Sequence, residues 1–509
     1  MTSVCGHVKS LDFLPKYNKW DTTDPGDLFS AETKKKEAIP DLRICNFLRS
    51  EGAGMDYLVL WLDCDKEGEN ICFEVIEEVK DVMRVHRNPN SQVIFRARFS
   101  SITEKAIFQA FNNLTEPNWN EARSVDARQE LDLRIGCAFT RFQTTSFQSK
   151  YTGLNDSVIS YGPCQTPTLG FCVHRHDEIQ QFKPEKYWRV EAKVKLGGAV
   201  LSLESQREHI FDSEVGMLLV KAARDCKQAV VESVLEKIKT KSPPQALHTV
   251  ELLRSASSRL HIGPKQAMDV AERLYIEGYI SYPRTETTRY AVDFDFTSPL
   301  SELSRNPQFD EYARFLLRTP IKLPSGGTDI GDHPPITPMK NASRDQLSDT
   351  EWRVYEFIAR HFLATLYPDC KYKVVEVQLS LGSESFQWSG VTPVTPGFTE
   401  VYPWQAIHGT ETDINWMKGQ QLDILEVQLT THETTPPGYL TESELISLME
   451  KHGIGTDASI PVHIENICSR NYVRVDSGRR LIPTKLGIVL VHGYHKVHIC
   501  VNCVLAVER

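Results

Sequence analysis

Ser281-Tyr282-Pro283-Arg284-Thr285-Glu286-Thr287 is the stretch from which the rest of the chain can be read. Upstream, residues 265–275 place Ala267, Val270, Ala271 and Leu274 at helical spacing, so a helix with one apolar face is expected there. Glu277-Gly278 ends it, because glycine is free to take the left-handed conformation that closes a helix. Tyr279-Ile280-Ser281-Tyr282 then reads as a short strand. Pro283 fixes its own φ and drives Tyr282 out of helical geometry. Tyr282 is therefore expected at a sharp junction, two residues before a guanidinium. A phenol with a pKa near ~10 is a poor nucleophile at neutral pH. Arg284 can lower that barrier, or clamp a phosphate beside the ring with paired donors. Attack on a phosphodiester needs that pair of groups. A half-buried tyrosine beside a solvated arginine would use the same residues for nothing.

A second stretch narrows the choice. Tyr57-Leu58-Val59-Leu60-Trp61-Leu62 is a continuous apolar run, suited to a strand covered on both faces of a parallel sheet. It runs into Asp63-Cys64-Asp65-Lys66-Glu67-Gly68-Glu69, and residues 70–84 follow with Ile71, Phe73, Val75, Ile76 and Val79 at helical spacing. The carboxylates thus fall at the carboxyl end of a strand, where open α/β sheets place their sites. Asp63 and Asp65 alternate and can face one cation, while Glu67 opens the helix. Hard oxygen donors at such a turn suit Mg²⁺, which bridges to phosphate oxygens. Helix capping accounts for one or two acidic residues at a helix start. It accounts poorly for four, whose mutual repulsion asks for a cation.

Together the two stretches resemble a known family. The Tyr282 heptapeptide resembles the active-site signature of type IA DNA topoisomerases, in wording closest to the eukaryotic topoisomerase III branch. The Asp-x-Asp-x-Glu-Gly-Glu string resembles the metal motif of the Toprim domain, shared by topoisomerases, primases and some nucleases. The resemblance implies that Tyr282 attacks the nucleic-acid backbone and holds one broken end as a 5′ phosphotyrosine, with Arg284 on the phosphate. It implies Mg²⁺, with Mn²⁺ as a substitute, on Asp63, Asp65 and Glu67. The implied fold is α+β and multidomain: a type IA torus of a Toprim α/β domain, a β-rich arch and helical domains. Single-stranded DNA is the implied partner. The topoisomerase III branch adds RNA as a further substrate, a Tudor-domain protein partner, and a nuclear location with the cytoplasm as a second.

Other segments add to this reading. Gly6-His7-Val8 is similar to a Gly-His-Leu/Val segment of the family's first domain. Phe95-Arg96-Ala97-Arg98-Phe99 interleaves aromatic and basic residues, and Arg96 and Arg98 would share one strand face, as a phosphate-tracking groove requires. A helix is expected over 122–140, similar to the family's Asp-Ala-Arg-x-x-x-Asp helix along the nucleic-acid path, with Arg134 on it. Gly162-Pro163-Cys164-Gln165-Thr166-Pro167 resembles a loop whose glutamine, here Gln165, contacts nucleic acid. His333-Pro334-Pro335-Ile336-Thr337-Pro338 resembles the family's His-x-x-Ile-x-Pro motif. His333 is expected near the nucleophile, protonated close to neutral pH and able to contact a phosphate. Gly453-Ile454-Gly455-Thr456-Asp457-Ala458-Ser459 opens a helix, and Thr456 and Ser459 sit where backbone donors hold phosphates.

The chain divides accordingly. Residues 1–95 are expected to form a shortened Toprim domain, since the family's opening strand and Glu-Lys-Pro-Ser segment have no counterpart before Asp63. Residues 96–186 and 436–509 are expected as two parts of a helical nucleic-acid-binding domain. Residues 187–240 and 371–435 alternate like strands and would be two parts of a β-rich arch. Residues 241–370 would be an inserted helical domain carrying Tyr282. Cys500-Val501-Asn502-Cys503 is half of a zinc-ribbon spacing, with His495 and His498 the nearby further donors.

Composition agrees with this and leaves alternatives. The 509 residues are 40% hydrophobic and 25% charged, as in ordinary soluble domains, and no apolar run approaches the ~18 residues of a membrane helix. The twelve cysteines lack a framework of spacings, which suits free thiols. A net charge of −9 excludes a uniformly basic coat but not a locally positive groove. No Gly-x-x-x-x-Gly-Lys-Ser/Thr loop is present, so ATP is not expected as a partner. A chain without the Glu-Lys-Pro-Ser glutamate could instead bind single strands without cutting them. A Toprim nuclease or primase would leave the tyrosine motif unexplained.

Overall fold

The computed structural model describes residues 1–84, 92–150, 158–409 and 414–496. The Cys500–Cys503 pair and His498 lie outside them.

The N-terminal part is built on two small sheets. Strands β1 (Lys9–Phe13) and β2 (Thr33–Glu37) pair antiparallel, Lys9 opposite Glu37. After α1 (Ile44–Gly52), strand β3 (Leu58–Leu60) leads through the acidic turn into α2 (Lys66–Val79) and returns as β4 (Ile94–Arg96). β3 and β4 are parallel, Leu58 opposite Ile94 and Leu60 opposite Arg96. This is the strand–turn–helix expected from the apolar run. The helix opens at the acidic turn because Asp65 caps it, its carboxylate accepting from Gly68 N at 2.7 Å.

A helical layer follows: α3 (Glu104–Asn112), the long α4 (Trp119–Gln148) and α5 (Gln165–Gln181). Then β5 (Lys186–Leu196), β6 (Ala199–Ser205), α6 (Ser213–Arg224) and β7 (Gln228–Lys241) begin a barrel. It is completed by β8 (Cys370–Leu381), β9 (Glu384–Thr395) and β10 (Gln421–Glu433), closing in the order β10-β5-β6-β9-β8-β7. Val190, Ala192 and Val194 point inward on β5, as their alternation requires. Helix α6 was not expected within this run. Its apolar face, with Val220 and Ala223 buried, packs on the barrel rather than extending it.

Between β7 and β8 the chain forms α7 (Thr249–Leu260), α8 (Pro264–Ile276), α9 (Thr297–Leu303), α10 (Asp310–Arg318) and α11 (Asp349–Leu366). The chain ends in α12 (Glu442–His452), α13 (Ile460–Ser469), the hairpin β11 (Val473–Asp476) and β12 (Arg480–Pro483), and α14 (Lys485–Lys496). Thr441 and Glu444 form the reciprocal capping box expected at the start of α12. A single apolar core joins α5, α7, α8, α11, α12 and α13, so Tyr282 stands on rigid packing. Residues 279–282 are not a strand. Ile280 makes one isolated bridge to Pro338 before Pro283 ends the pairing. No described helix is long and apolar enough to cross a membrane.

Candidate active site

Tyr282 is held from three sides. Its backbone N donates to Ser100 O at 2.9 Å, which ties the signature loop to the segment after β4. Below it, Thr285 N donates to the Thr249 hydroxyl at 2.8 Å, and that hydroxyl also lies 2.8 Å from Pro283 O. Beyond it, Asp332 accepts from Glu286 N at 2.8 Å and from the Thr287 hydroxyl. The ring packs edge-on against Tyr275 and at 4.5 Å, tilted, against His333. Only 3% of the residue is exposed.

The phenol reaches across to the acidic turn. Tyr282 O–H donates to Asp65 Oδ2 at 2.6 Å, linking residues 217 positions apart. Arg284 Nη1 stands 3.6 Å from the same oxygen, and Arg284 Nε donates to Glu272 Oε1 at 3.1 Å. Burial pushes the phenol well above its ordinary pKa. The negative charges of Asp65 and Asp63 push the same way, and Arg284 opposes them. Burial also raises the Asp63 carboxyl, and the neighbouring Asp65 charge adds to it. The two aspartates therefore repel each other beside the tyrosine, as expected from the sequence.

The other two carboxylates of the motif do not join them. Glu67 accepts from Arg128 Nη2 at 2.6 Å and faces His7 Nε2 at 3.1 Å. Those contacts to Glu67, then to Glu74, push His7 up to about 9. Glu69 accepts from Arg96 Nε at 2.9 Å and from Asn118 N at 2.5 Å. Arginines thus relieve half of the expected repulsion. Among the described residues no three of His, Cys, Asp and Glu converge closely enough to hold a metal. What fits a cation is the Asp63–Asp65 pair, since Mg²⁺ commonly takes one or two carboxylates plus phosphate and water. Glu67, expected as a third ligand, stands instead with Arg128 and His7.

His333 stands beside Tyr282, as its motif implied, but not as a cation. It is 4% exposed, and burial lowers its pKa against the opposing pull of Asp332 and Asp65. Nδ1 meets Ser100 Oγ at 3.2 Å, while the buried Nε2 has no hydrogen-bond partner among the described residues. A neutral imidazole with one free nitrogen can exchange a proton with a substrate oxygen.

Two expected nucleic-acid contacts turn out to be internal braces. Arg96 is fully buried, donating to Glu69, to the carbonyls of Leu62 (2.8 Å) and Ala97 (3.0 Å), and to Asp63 O (2.6 Å). It fastens the strand end that carries the aspartates and cannot reach a strand of nucleic acid. Arg98, two residues on, is exposed instead. Arg134 grips Glu130 Oε1 at 2.7 Å and the carbonyls of Leu28, Phe29 and Ala31. It anchors the N-terminal segment to α4. Gln165 is buried at the first turn of α5. Thr456 and Ser459 satisfy each other locally, Thr456 N donating to Ser459 Oγ at 2.8 Å, and Thr456 is exposed.

Sequence reasoning missed Glu272, Ser100 and Asp457. Glu272 lies on α8 with nothing to mark it apart from its place one helix before the signature. Asp457 sits within the glycine turn, between the hydroxyls of Thr456 and Ser459. Its carboxyl is pushed up to about 6, by burial first and then by Glu286, against Arg284. It is therefore electrostatically part of the same site.

A tyrosine, an arginine and two aspartates at the carboxyl end of a parallel strand, beside a closed barrel interrupted by helices, define a type IA DNA topoisomerase, and the chain belongs to that family. Residues 116–503 match the DNA topoisomerase family and residues 1–102 match the Toprim domain. DNA topoisomerase 3-beta-1 of Mus musculus is 57% identical over 499 residues, covering 98% of this chain and 58% of that protein. DNA topoisomerase 3-beta of Drosophila melanogaster is 56% identical, covering 98% of this chain and 56% of its own length. DNA topoisomerase 3-alpha of Homo sapiens is 40% identical over 97% of this chain and 49% of its own. The chain thus spans little more than half the length of the curated relatives it matches. Full-length topoisomerase I from Thermotoga maritima superposes with a TM-score of 0.75 at 23% identity, covering 98% of this chain and 79% of that one, which shows the fold.

Proposed function

We propose that this chain cuts one strand of a nucleic acid through Tyr282, passes a strand through the gap and reseals it, without ATP. The observation that carries the reading is the Tyr282–Asp65 hydrogen bond at 2.6 Å with Arg284 beside it. The phenol must lose its proton as its oxygen attacks phosphorus, and Asp65 is already in place to receive it. The P–O bond to the leaving 3′ oxygen breaks as the Tyr282 O–P bond forms, leaving a 5′ phosphotyrosine. Arg284 is placed to offset charge on the phosphate oxygens. His333 Nε2 is placed to give a proton to the departing oxygen and to take it back on resealing. Because the ester retains the energy of the broken bond, resealing needs no nucleotide. Mg²⁺, with Mn²⁺ as a substitute, would be held by Asp63 and Asp65, where it neutralises phosphate charge.

Single-stranded DNA is the proposed substrate, with RNA as a second. A Tudor-domain protein is the proposed partner, and the nucleus, with the cytoplasm as a second site, the proposed location. The likeness to DNA topoisomerase 3-beta supports the DNA substrate, while RNA, the Tudor-domain partner and the location rest on the resemblance of the sequence motifs. The test is covalent trapping. A single-stranded oligonucleotide labelled at its 3′ end is incubated with the chain and Mg²⁺, then denatured and run on a gel. A labelled protein band that disappears in Tyr282→Phe is expected. A band that survives in Tyr282→Phe would overturn the assignment of the nucleophile.

A further inference from the structure

Beyond the signature the chain turns back on itself and leaves a cavity open to solvent. Thr288 N donates to Thr328 O at 2.9 Å, and Thr328 N donates to the Thr288 hydroxyl at 2.9 Å. With Asp332 clamping residues 285–287, this makes residues 285–289 and 326–332 one unit with the Tyr282 loop. Against that unit lies a cavity of about 200 Å³, lined by Arg289, Tyr290, Leu323, Pro324, Ser325 and Gly326.

Its polar groups are donors without partners. Arg289 is exposed and makes no hydrogen bond or ion pair among the described residues. The Ser325 hydroxyl and the Gly326 amide likewise make no hydrogen bond among the described residues, nor does the amide of the next residue, Gly327. Both glycines have positive φ, +95° and +89°. A Cβ at Gly327 would lie 2.5 Å from Thr288 O, so only glycine brings this backbone so close. The Gln245 side-chain nitrogen stands 3.3 Å from where a Cβ of Gly326 would be, adding another donor at the rim. The nearby carboxylates are engaged elsewhere: Asp329 accepts from Gly331 N at 2.9 Å, and Asp332 from Glu286 N and Thr287. Glu286 is exposed and lies close enough to Asp457 to raise its pKa.

We propose that this cavity is a phosphate subsite for the bound strand, with Arg289 as its cation and the Ser325 hydroxyl and the Gly326 amide as its neutral donors. It takes a backbone phosphate away from the one that Tyr282 attacks. The volume is below the ~300 Å³ at which pockets for whole small molecules begin, and so suits a phosphate rather than a nucleotide. The rigid link to the signature gives such a contact a purpose. A strand held at Arg289 is held in register with the nucleophile. This rests on the reading of the chain as a strand-cutting enzyme.

The experiment separates the two. Tyr282→Phe protein is used throughout, so that binding is measured without cutting. Anisotropy of a labelled single-stranded oligonucleotide is followed across a salt series. Arg289→Ala is expected to weaken binding and to make the slope of log K against log salt shallower by about 0.7, the share of one phosphate on a single strand. Arg289→Lys, which keeps the charge, is expected to restore the slope. An unchanged slope in Arg289→Ala overturns the subsite while the parent still binds. No strand binding by the parent overturns the functional reading and the subsite together. If inorganic phosphate raises the melting temperature of the parent but not of Arg289→Ala, and the strand slope is nevertheless unchanged, the cavity is a free-anion site and the strand assignment fails.

Discussion

Tyr282 and Asp65, 217 residues apart, share a 2.6 Å hydrogen bond in which the phenol donates to the carboxylate. The same carboxylate caps α2 through Gly68 N. One side chain therefore starts the helix and, in the proposed reaction, is placed to receive the Tyr282 proton. Asparagine keeps the cap but not the charge. Asp65→Asn is expected to leave the melting temperature nearly unchanged and to slow adduct formation by roughly 10²–10⁴, the usual share of a positioned base. Asp65→Ala should lose the adduct and about 1 kcal/mol of stability as well. Equal adduct rates in Asp65→Asn and the parent would remove Asp65 from the chemistry.

Arg96 shows where a surface reading of a basic strand goes wrong. Its guanidinium is spent on Glu69 and four carbonyls, including that of Asp63. Arg96→Ala would leave Glu69 buried and unpaired, at a cost of about 3–5 kcal/mol. Denaturant unfolding should show that loss. The alternative, a strand-affinity defect in a protein of unchanged stability, would restore Arg96 to the binding surface.

Local patterning was legible because it is set by neighbours in sequence. The α8 face of Ala267, Val270, Ala271 and Leu274 is wholly buried, and the Thr441–Glu444 capping box forms. The Tyr282 signature and the acidic turn were found by their residue types, and the family follows from them. What the sequence could not show is which way a charged side chain turns. Arg96 and Arg98 have the same spacing from any groove, yet one is walled in by β3 and Glu69 and the other is exposed. Glu67 and Asp65 are equally acidic, yet Arg128 on α4, 61 residues away, draws off only the first. Helix α6 interrupts a β-like alternation because its apolar residues Val220 and Ala223 join the same core as the inward residues of β5 instead of pairing as a strand.

Glu442 and Arg479 form a latch between α12 and the turn of the β11–β12 hairpin, at 2.8 and 2.6 Å. Ser257 on α7 donates to the same carboxylate at 3.0 Å. The partners are unequal, since the Glu442 side chain is 2% exposed and that of Arg479 is 30% exposed. Removing the arginine strands a buried charge, at about 3–5 kcal/mol. Removing the glutamate leaves a guanidinium that water can reach, at about 1–3 kcal/mol. Chemical denaturation of Arg479→Ala and Glu442→Ala should give that order, and the reverse order would mean the hairpin opens first.

His361 is buried within α11, and burial pulls it down to about 4, against the Gln245 carbonyl that its Nε2 faces at 2.9 Å. Unfolded, it would titrate near 6.5. The unfolded chain therefore binds the extra proton between those values. Stability is intact above about pH 6.5 and falls as pH drops toward 4, by about 2–4 kcal/mol from this group. His361→Gln should flatten that part of the stability–pH curve. A curve with the same slope in parent and variant would assign the acid loss to other groups.

Gly68 explains the glycine of the acidic motif. A Cβ there would stand 2.0 Å from Asp63 O, the carbonyl that Arg96 Nη2 holds at 2.6 Å. Backbone cannot yield as a flexible side chain does, so Gly68→Ala must shift either the start of α2 or the Asp63 peptide. Both movements carry Asp65 away from Tyr282, because Asp65 lies between them and caps the helix through Gly68 N. Gly68→Ala is therefore expected to lose adduct formation with the Tyr282 loop intact, although alanine is the better helix former by about 1 kcal/mol. Single-strand binding by the same protein gives the control, and should persist because the signature loop is anchored separately through Thr249 and Asp332. Full adduct formation in Gly68→Ala would show that the turn tolerates displacement and that the 2.6 Å contact between Tyr282 and Asp65 is not required for attack.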